Sequence, residues 1–139
     1  MKSVNGALGH TAGDNVLRAV AQAFADRFGN RCCRFGGEQF AAVALATTRA
    51  DALSRAESVR ADVAALFFEG YPELRVTIRV GVAVWPENGT NVNELMTSAG
   101  RAQYQAKCDG GNCVVAEADA KRSVRMLISR LRNVFRTVR

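Results

Sequence analysis

Residues 34–40 read RFGGEQF, and the way this stretch turns decides how the rest of the chain is read. Two adjacent glycines sit between aromatics, followed by one carboxylate, Glu38, and one neutral amide, Gln39. Glycine loses more backbone freedom on folding than any other residue, so a pair of them needs a reason. On either side, 31–35 and 40–45 are short runs rich in apolar residues. Two such runs around a glycine turn predict a β-hairpin with Gly36-Gly37 at its tip.

Outward from the hairpin, the chain alternates helix and strand signals. Residues 1–12, with Gly6, Gly9 and His10, read as a loop. Val16, Leu17, Val20, Phe24 and Phe28 recur at helical spacing and predict a helix over 14–28, ended by Gly29-Asn30. Thr48 with Asp51 three residues later forms a capping box, opening a helix to about residue 68. In 74–85, LRVTIRVGVAVW, apolar residues alternate with Arg75, Thr77 and Arg79, which predicts a half-buried strand. PENGT turns the chain, Asn91 and Glu94 cap a helix to about Lys107, and 113–116 form a last strand. The sum is an α+β domain over 1–116, helices packed on a largely antiparallel sheet.

Composition bounds what such a domain does. The chain has 139 residues, fitting one domain. Seven of its 19 basic residues lie in 121–139, which contains no acid; residues 1–120 then hold 12 basic against 13 acidic groups, net −1. A nearly neutral domain offers no footprint for nucleic acid, and none is expected as a partner. No window is long and apolar enough to span a membrane, and the start carries no apolar signal-peptide region. Cys32, Cys33, Cys108 and Cys113 match no zinc spacing and read as thiols of a reducing cytoplasm.

Four stretches together, KSVNGALGHTAGD (2–14), RFGGEQF (34–40), TIRVGVAVWP (77–86) and YQAKCDGGN (104–112), resemble in order and spacing the GGDEF domain of bacterial diguanylate cyclases. The resemblance covers residues 1 to about 116. It implies a nucleotide-cyclase-like sheet in a bacterial cytoplasmic protein of cyclic di-GMP signalling. Family members join two GTP into cyclic di-GMP and two pyrophosphates, in a homodimer whose subunits each present one GTP and two Mg²⁺ ions. By the same resemblance Asn5 and Asp14 read guanine, Gly36 and Gly37 cradle phosphate, and Lys107 contacts phosphate. Glu38 is the catalytic, metal-binding carboxylate. A turn without side chains lets backbone N–H groups approach phosphate, and carboxylates suit Mg²⁺ as hard oxygen ligands. Each residue also has a plain reading: Asp14 as a helix N-cap, Gly36-Gly37 as a hairpin turn, Glu38 as an exposed acid, and Lys107 as a helix C-terminal cation.

The sequence departs from the family pattern at informative places. Gln39 replaces a Glu, and an amide offers one neutral oxygen to Mg²⁺. The family's other metal-binding Asp lies on a first strand upstream of the position of Asn5, so that strand is expected to be missing. Gly6 and Gly100 replace aspartates, and Gly111 replaces a phosphate-contacting Arg. The family's product-inhibition pair, an Arg and an Asp, reads here as Arg27 and Asn30. Arg27 also reads as a helix C-terminal cation.

These departures lead to the expectation of a domain impaired in catalysis, binding GTP or cyclic di-GMP or regulating a partner. Two alternatives stand beside it: an active cyclase within a longer chain, and an interaction module working through its C-terminal segment. In that segment, 117–139, Val124, Leu127, Ile128, Leu131, Val134, Phe135 and Val138 predict a basic amphipathic helix. Its apolar face fits the domain itself, a dimer mate, a partner protein or an anionic membrane surface.

Overall fold

The computed structural model describes residues 2–45 and 48–117. The amphipathic helix expected over 121–139 lies outside them. The elements are α1 (Lys2–Leu8), α2 (His10–Phe28), β1 (Cys32–Gly36), β2 (Gln39–Ala42), α3 (Arg49–Ala64), β3 (Val80–Val82), α4 (Val92–Cys108) and β4 (Val114–Ala116). The fold is α+β. It divides into two compact units, one ending at Ile78 and one beginning at Arg79.

In the first unit α2 is the centre. Val16, Val20, Phe24 and Phe28 recur every three or four residues on one face and are all buried. They pack with Val59 and Val63 of α3 and with Phe68. Phe40 of β2 stacks on Phe24 at a centroid distance of 5.4 Å. β1 and β2 pair antiparallel, with Cys32 opposite Ala42 and Gly36 opposite Gln39. Leu74, Val76 and Ile78 close the core from the following segment.

The second unit is a β3–α4–β4 crossover whose two strands run parallel. Here one glycine is dictated by packing. A Cβ on Gly81 of β3 would lie 2.0 Å from the Ala99 carbonyl oxygen and 2.4 Å from the Gln103 nitrogen, both in α4. Only a bare Cα lets the helix approach the strand this closely. Below it, Ala102, Ala106 and Ala116 are fully buried. Glu117 is buried too, and its Oε1 accepts from Nε and Nη2 of Arg101 at 3.1 and 2.9 Å.

Several expectations need correction. Residues 2–8 are helical rather than a loop, with Gly9 at φ 84° between α1 and α2. α2 therefore begins at His10, and Asp14 lies inside it, so Asp14 is not an N-cap. α3 carries the expected capping box but ends at Ala64. The expected alternation holds in burial over 74–80 and not beyond, and only Val80–Val82 pair as a strand, because 74–79 have no strand neighbour among the described residues. The sheet is not largely antiparallel: one two-stranded sheet is antiparallel and the other parallel. No strand precedes Cys32 among the described residues, so each strand has one edge without a strand partner.

Candidate functional site

The hairpin tip is built differently from a plain double-glycine turn. Gly36 ends β1 opposite Gln39, so the turn proper is Gly37-Glu38. Gly37 takes φ 41°, a conformation that favours glycine. Gly36 has no positive φ, and a Cβ there would meet nothing within 4 Å. The backbone does not require glycine at this position. A bulge between Arg34 and Gly36 leaves Phe35 unpaired and 62% exposed. Arg34 Nε donates to the Gly37 carbonyl at 2.7 Å, bracing the tip from below. Glu38 and Gln39 are both exposed.

Between α2 and the hairpin lies a cavity of about 440 Å³, lined by Asp14, Arg18, Phe24, Cys33, Arg34 and Phe40 among others. That volume falls within the range of small-molecule sites. The stacked Phe24 and Phe40 give it an apolar surface, Asp14 supplies two acceptor oxygens, and Arg18 and Arg34 supply donors. Asp14 makes no hydrogen bond or ion pair among the described residues. A planar heterocycle with adjacent N–H donors and an anionic group has matching chemistry here. Arg34 joins the cavity to the turn, since it lines one and holds the other. Sequence reading passed over Arg34, although it opens the decisive stretch; its position on the strand leading to the turn was the available signal.

The remaining residues fall elsewhere. Asn5 sits in α1, where its Oδ1 is buried without a hydrogen-bond partner. An orphaned acceptor of this kind costs about 1–3 kcal/mol until a donor reaches it. Arg27, in the last turn of α2, is held by Asp62 of α3 in a two-pronged pair, 2.6 and 2.9 Å. The Arg27 guanidinium holds the Asp62 carboxyl below its usual range. Neither reading of Arg27 anticipated this partner. Asn30 is exposed in the short 3-10 turn Gly29–Arg31.

Lys107 belongs to the second unit, exposed in the last turn of α4, where a cation suits the helix C-terminus. Gly111 follows at φ 79° and donates its N–H to the Ala106 carbonyl at 3.0 Å. The helix ending thus uses a glycine in a conformation that an arginine would adopt only under strain.

The described residues offer few donors for magnesium. No group of three or more His, Cys, Asp and Glu converges among the described residues. The turn carries a single carboxylate, Glu38, beside the neutral Gln39. Mg²⁺ beside a triphosphate is commonly held by one or two protein carboxylates together with phosphate oxygens and waters, and this turn offers one. No helix among the described residues is long and apolar enough to cross a membrane.

A family profile described as "Diguanylate cyclase, GGDEF domain" matches residues 1–113. The response regulator PleD of Caulobacter vibrioides is 38% identical over 122 residues, 84% of this chain and 27% of that protein. Diguanylate cyclase DgcM of Escherichia coli is 38% identical over 117 residues, 83% of this chain and 28% of that protein. The chain thus spans about a quarter of the length of these curated relatives. Among solved structures, the GGDEF domain of DgcB from Caulobacter crescentus, in complex with c-di-GMP, superposes with a TM-score of 0.72 at 25% identity, covering 84% of this chain and 71% of that one. The active GGEEF domain of a Vibrio cholerae diguanylate cyclase gives a TM-score of 0.70 at 27% identity, over 84% and 75% of the two chains. With a matching profile over most of its length and these relatives beside it, the chain belongs to the GGDEF domain family of diguanylate cyclases.

Proposed function

We propose that this chain is the GGDEF domain of a cytoplasmic bacterial signalling protein, that it binds a guanine nucleotide at the cavity between α2 and the hairpin, and that its turnover of GTP is impaired. Gly36 carries the binding half of this reading. Neither its φ nor its neighbours demand glycine. A bare position two residues along the strand from Arg34, which lines the cavity with Asp14 and Arg18, suits a phosphate approaching the backbone. On this reading Asp14 accepts from the base, while Asn5 and Lys107 are not among the residues lining the cavity. The impaired half rests on Glu38 standing beside Gln39, a donor set short of charge for Mg²⁺. The family's reaction joins two GTP, and a homodimer is part of the same proposal by that likeness to the family.

The test is incubation of the 139-residue polypeptide with GTP and Mg²⁺, alongside titration with a non-hydrolysable GTP analogue. The expected outcome is binding without cyclic di-GMP. Product above background overturns the impairment, and absence of binding overturns the site. A second reading, an active cyclase within a longer chain, draws support from the open strand edges of both sheets, which leave room for another strand. A longer polypeptide that makes cyclic di-GMP where the 139-residue one does not would favour it.

A further inference from the structure

The second unit holds a cavity of its own. About 330 Å³ in volume and open to solvent, it is lined by Asn88, Asn93, Glu94, Thr97, Ser98 and Arg101. None of the six side chains is apolar. Five of them lie on α4, and Asn88 comes from the loop before it. That loop is seated tightly on the helix: a Cβ on Gly89 would lie 2.7 Å from Glu94 Cβ and 2.8 Å from the Leu95 nitrogen. Ser98 is the buried member, 3% exposed. Its hydroxyl donates to the Asn88 carbonyl at 2.6 Å and accepts from Arg101 Nη2 at 3.0 Å. One hydroxyl thus joins Asn88 to Arg101.

What these groups can still offer a ligand sorts by sign. Asn88 Oδ1 accepts from the Val84 N–H at 2.8 Å, so the amide N–H donors of Asn88 are the part left over. Arg101 donates to Glu117 Oε1 through Nε and Nη2, and Nη1 keeps its donors. Two donor groups brought together at Ser98 suit the two oxygens of a carboxylate. Toward the start of α4 stand the acceptors. The Thr97 hydroxyl donates to the Asn93 carbonyl at 2.8 Å and so presents its lone pairs. The Thr90 backbone N–H and hydroxyl hold the Glu94 carboxyl below its usual range, so it stays ionised. Glu94 and Thr97, three residues apart on one helix, are neighbours that suit an ammonium group. We propose that this cavity binds a free amino acid with a polar side chain, its carboxylate on Asn88 and Arg101 and its ammonium on Glu94 and Thr97. A ligand carrying only one of the two charges leaves the opposite end of the cavity unmatched, and an apolar side chain meets no apolar wall. The site uses no residue of the cavity between α2 and the hairpin.

The probes are L-serine, L-asparagine and L-glutamine, titrated into the intact, isotope-labelled 139-residue chain. The readout is the nuclear magnetic resonance signals of the Asn88 and Asn93 amide groups and of Arg101 Nε–H. Saturable shifts of these signals with at least one probe are the expected result. The N-acetyl form lacks the ammonium and the methyl ester lacks the carboxylate charge, so each binds about tenfold or more weakly. Glu94→Gln keeps an acceptor for Thr90 and removes the charge. It should weaken the free amino acid by about tenfold or more and leave the affinity of the N-acetyl form unchanged. Asn88→Asp keeps an acceptor for Val84 and sets a negative charge against the carboxylate, so the Arg101 shift should disappear. If Asn88→Asp collapses the signal dispersion of the folded chain, the Glu94→Gln comparison decides alone. The proposal is overturned if none of the three probes shifts these signals, if the blocked forms bind as well as the free amino acid, or if Glu94→Gln leaves its affinity unaltered. Shifts confined to Asp14 and Arg18 also overturn it, and they leave the nucleotide site of the first unit to its own test.

Discussion

Gln39 and a glutamate differ by one charge and one acceptor, and on an exposed turn that difference reaches the metal before it reaches the fold. Gln39 is a strand residue paired opposite Gly36, so Gln39→Glu keeps the hairpin. In the 139-residue chain the change is expected to yield no cyclic di-GMP, because two carboxylates on adjacent residues still leave the converging set short. Chromatographic detection of product from that variant with GTP and Mg²⁺ is the check. Asp14 makes the opposite case. Hydrogen bonds to a charged group contribute about 1.5–3 kcal/mol, so Asp14→Ala should weaken GTP by roughly 10- to 150-fold. Its side chain is exposed on α2, which leaves folding intact. Calorimetric titration with GTP and ATP reads it, and equal affinity for the two nucleotides refutes the assignment. At this scale the sequence was legible where position follows from a local motif, as for Glu38 on the hairpin turn. It was silent where a partner comes from afar: Asp62 holds Arg27 from 35 positions away, and no spacing announces it.

That distant pair is also a relation between elements, since it ties the end of α2 to α3. Both side chains are well exposed, 47% and 37%, so the pair contributes little to stability. Its larger effect is to occupy the guanidinium. Asp62→Ala should therefore increase the affinity of the domain for cyclic di-GMP, while Arg27→Ala in the otherwise intact chain should leave it unchanged; equilibrium dialysis separates the two. The capping box of α3 makes a second element-scale prediction. The Thr48 hydroxyl donates to Asp51 at 2.8 Å while the Asp51 N–H donates back to that hydroxyl at 3.2 Å. Thr48→Ala should cost about 0.5–2 kcal/mol, read by urea melting. The Thr48 hydroxyl and its backbone N–H also hold the Asp51 carboxyl below its usual range. A depressed carboxyl stabilises the fold above the unfolded value near pH 4, and that share is lost as the pH falls through the lower folded value. The melting temperature should thus be level from neutrality to about pH 5 and decline below about pH 4, less steeply in Asp51→Asn. The cap was readable because Thr48 and Asp51 are three apart. α1 was not, because Asn5 and Gly6 are poor helix formers and the helix is held by packing on α2. The strand at 74–85 was overcalled for a related reason: alternation reports which side is buried, while strand pairing needs a neighbour that the sequence pattern does not show.

For the whole molecule, charge is partitioned more sharply than the fold. The sequence as a whole has a pI near 9.7, yet residues 1–120 hold 12 basic and 13 acidic groups. A polypeptide ending at residue 120 should focus below pH 7 on an isoelectric gel, a shift larger than any single substitution produces. The family and the α+β class were legible because four motifs stand in order. The division into two units was not, because nothing at Ile78–Arg79 marks it: no proline, no glycine, no change of composition. Within the second unit, the contact at Gly81 has a mechanical reading. A helix seated on a strand through side chains can slide by exchanging rotamers, whereas one seated backbone to backbone has no such slack. α4 and β3 are therefore expected to move as one body, and the Arg101–Glu117 pair ties the end of β4 to the same helix.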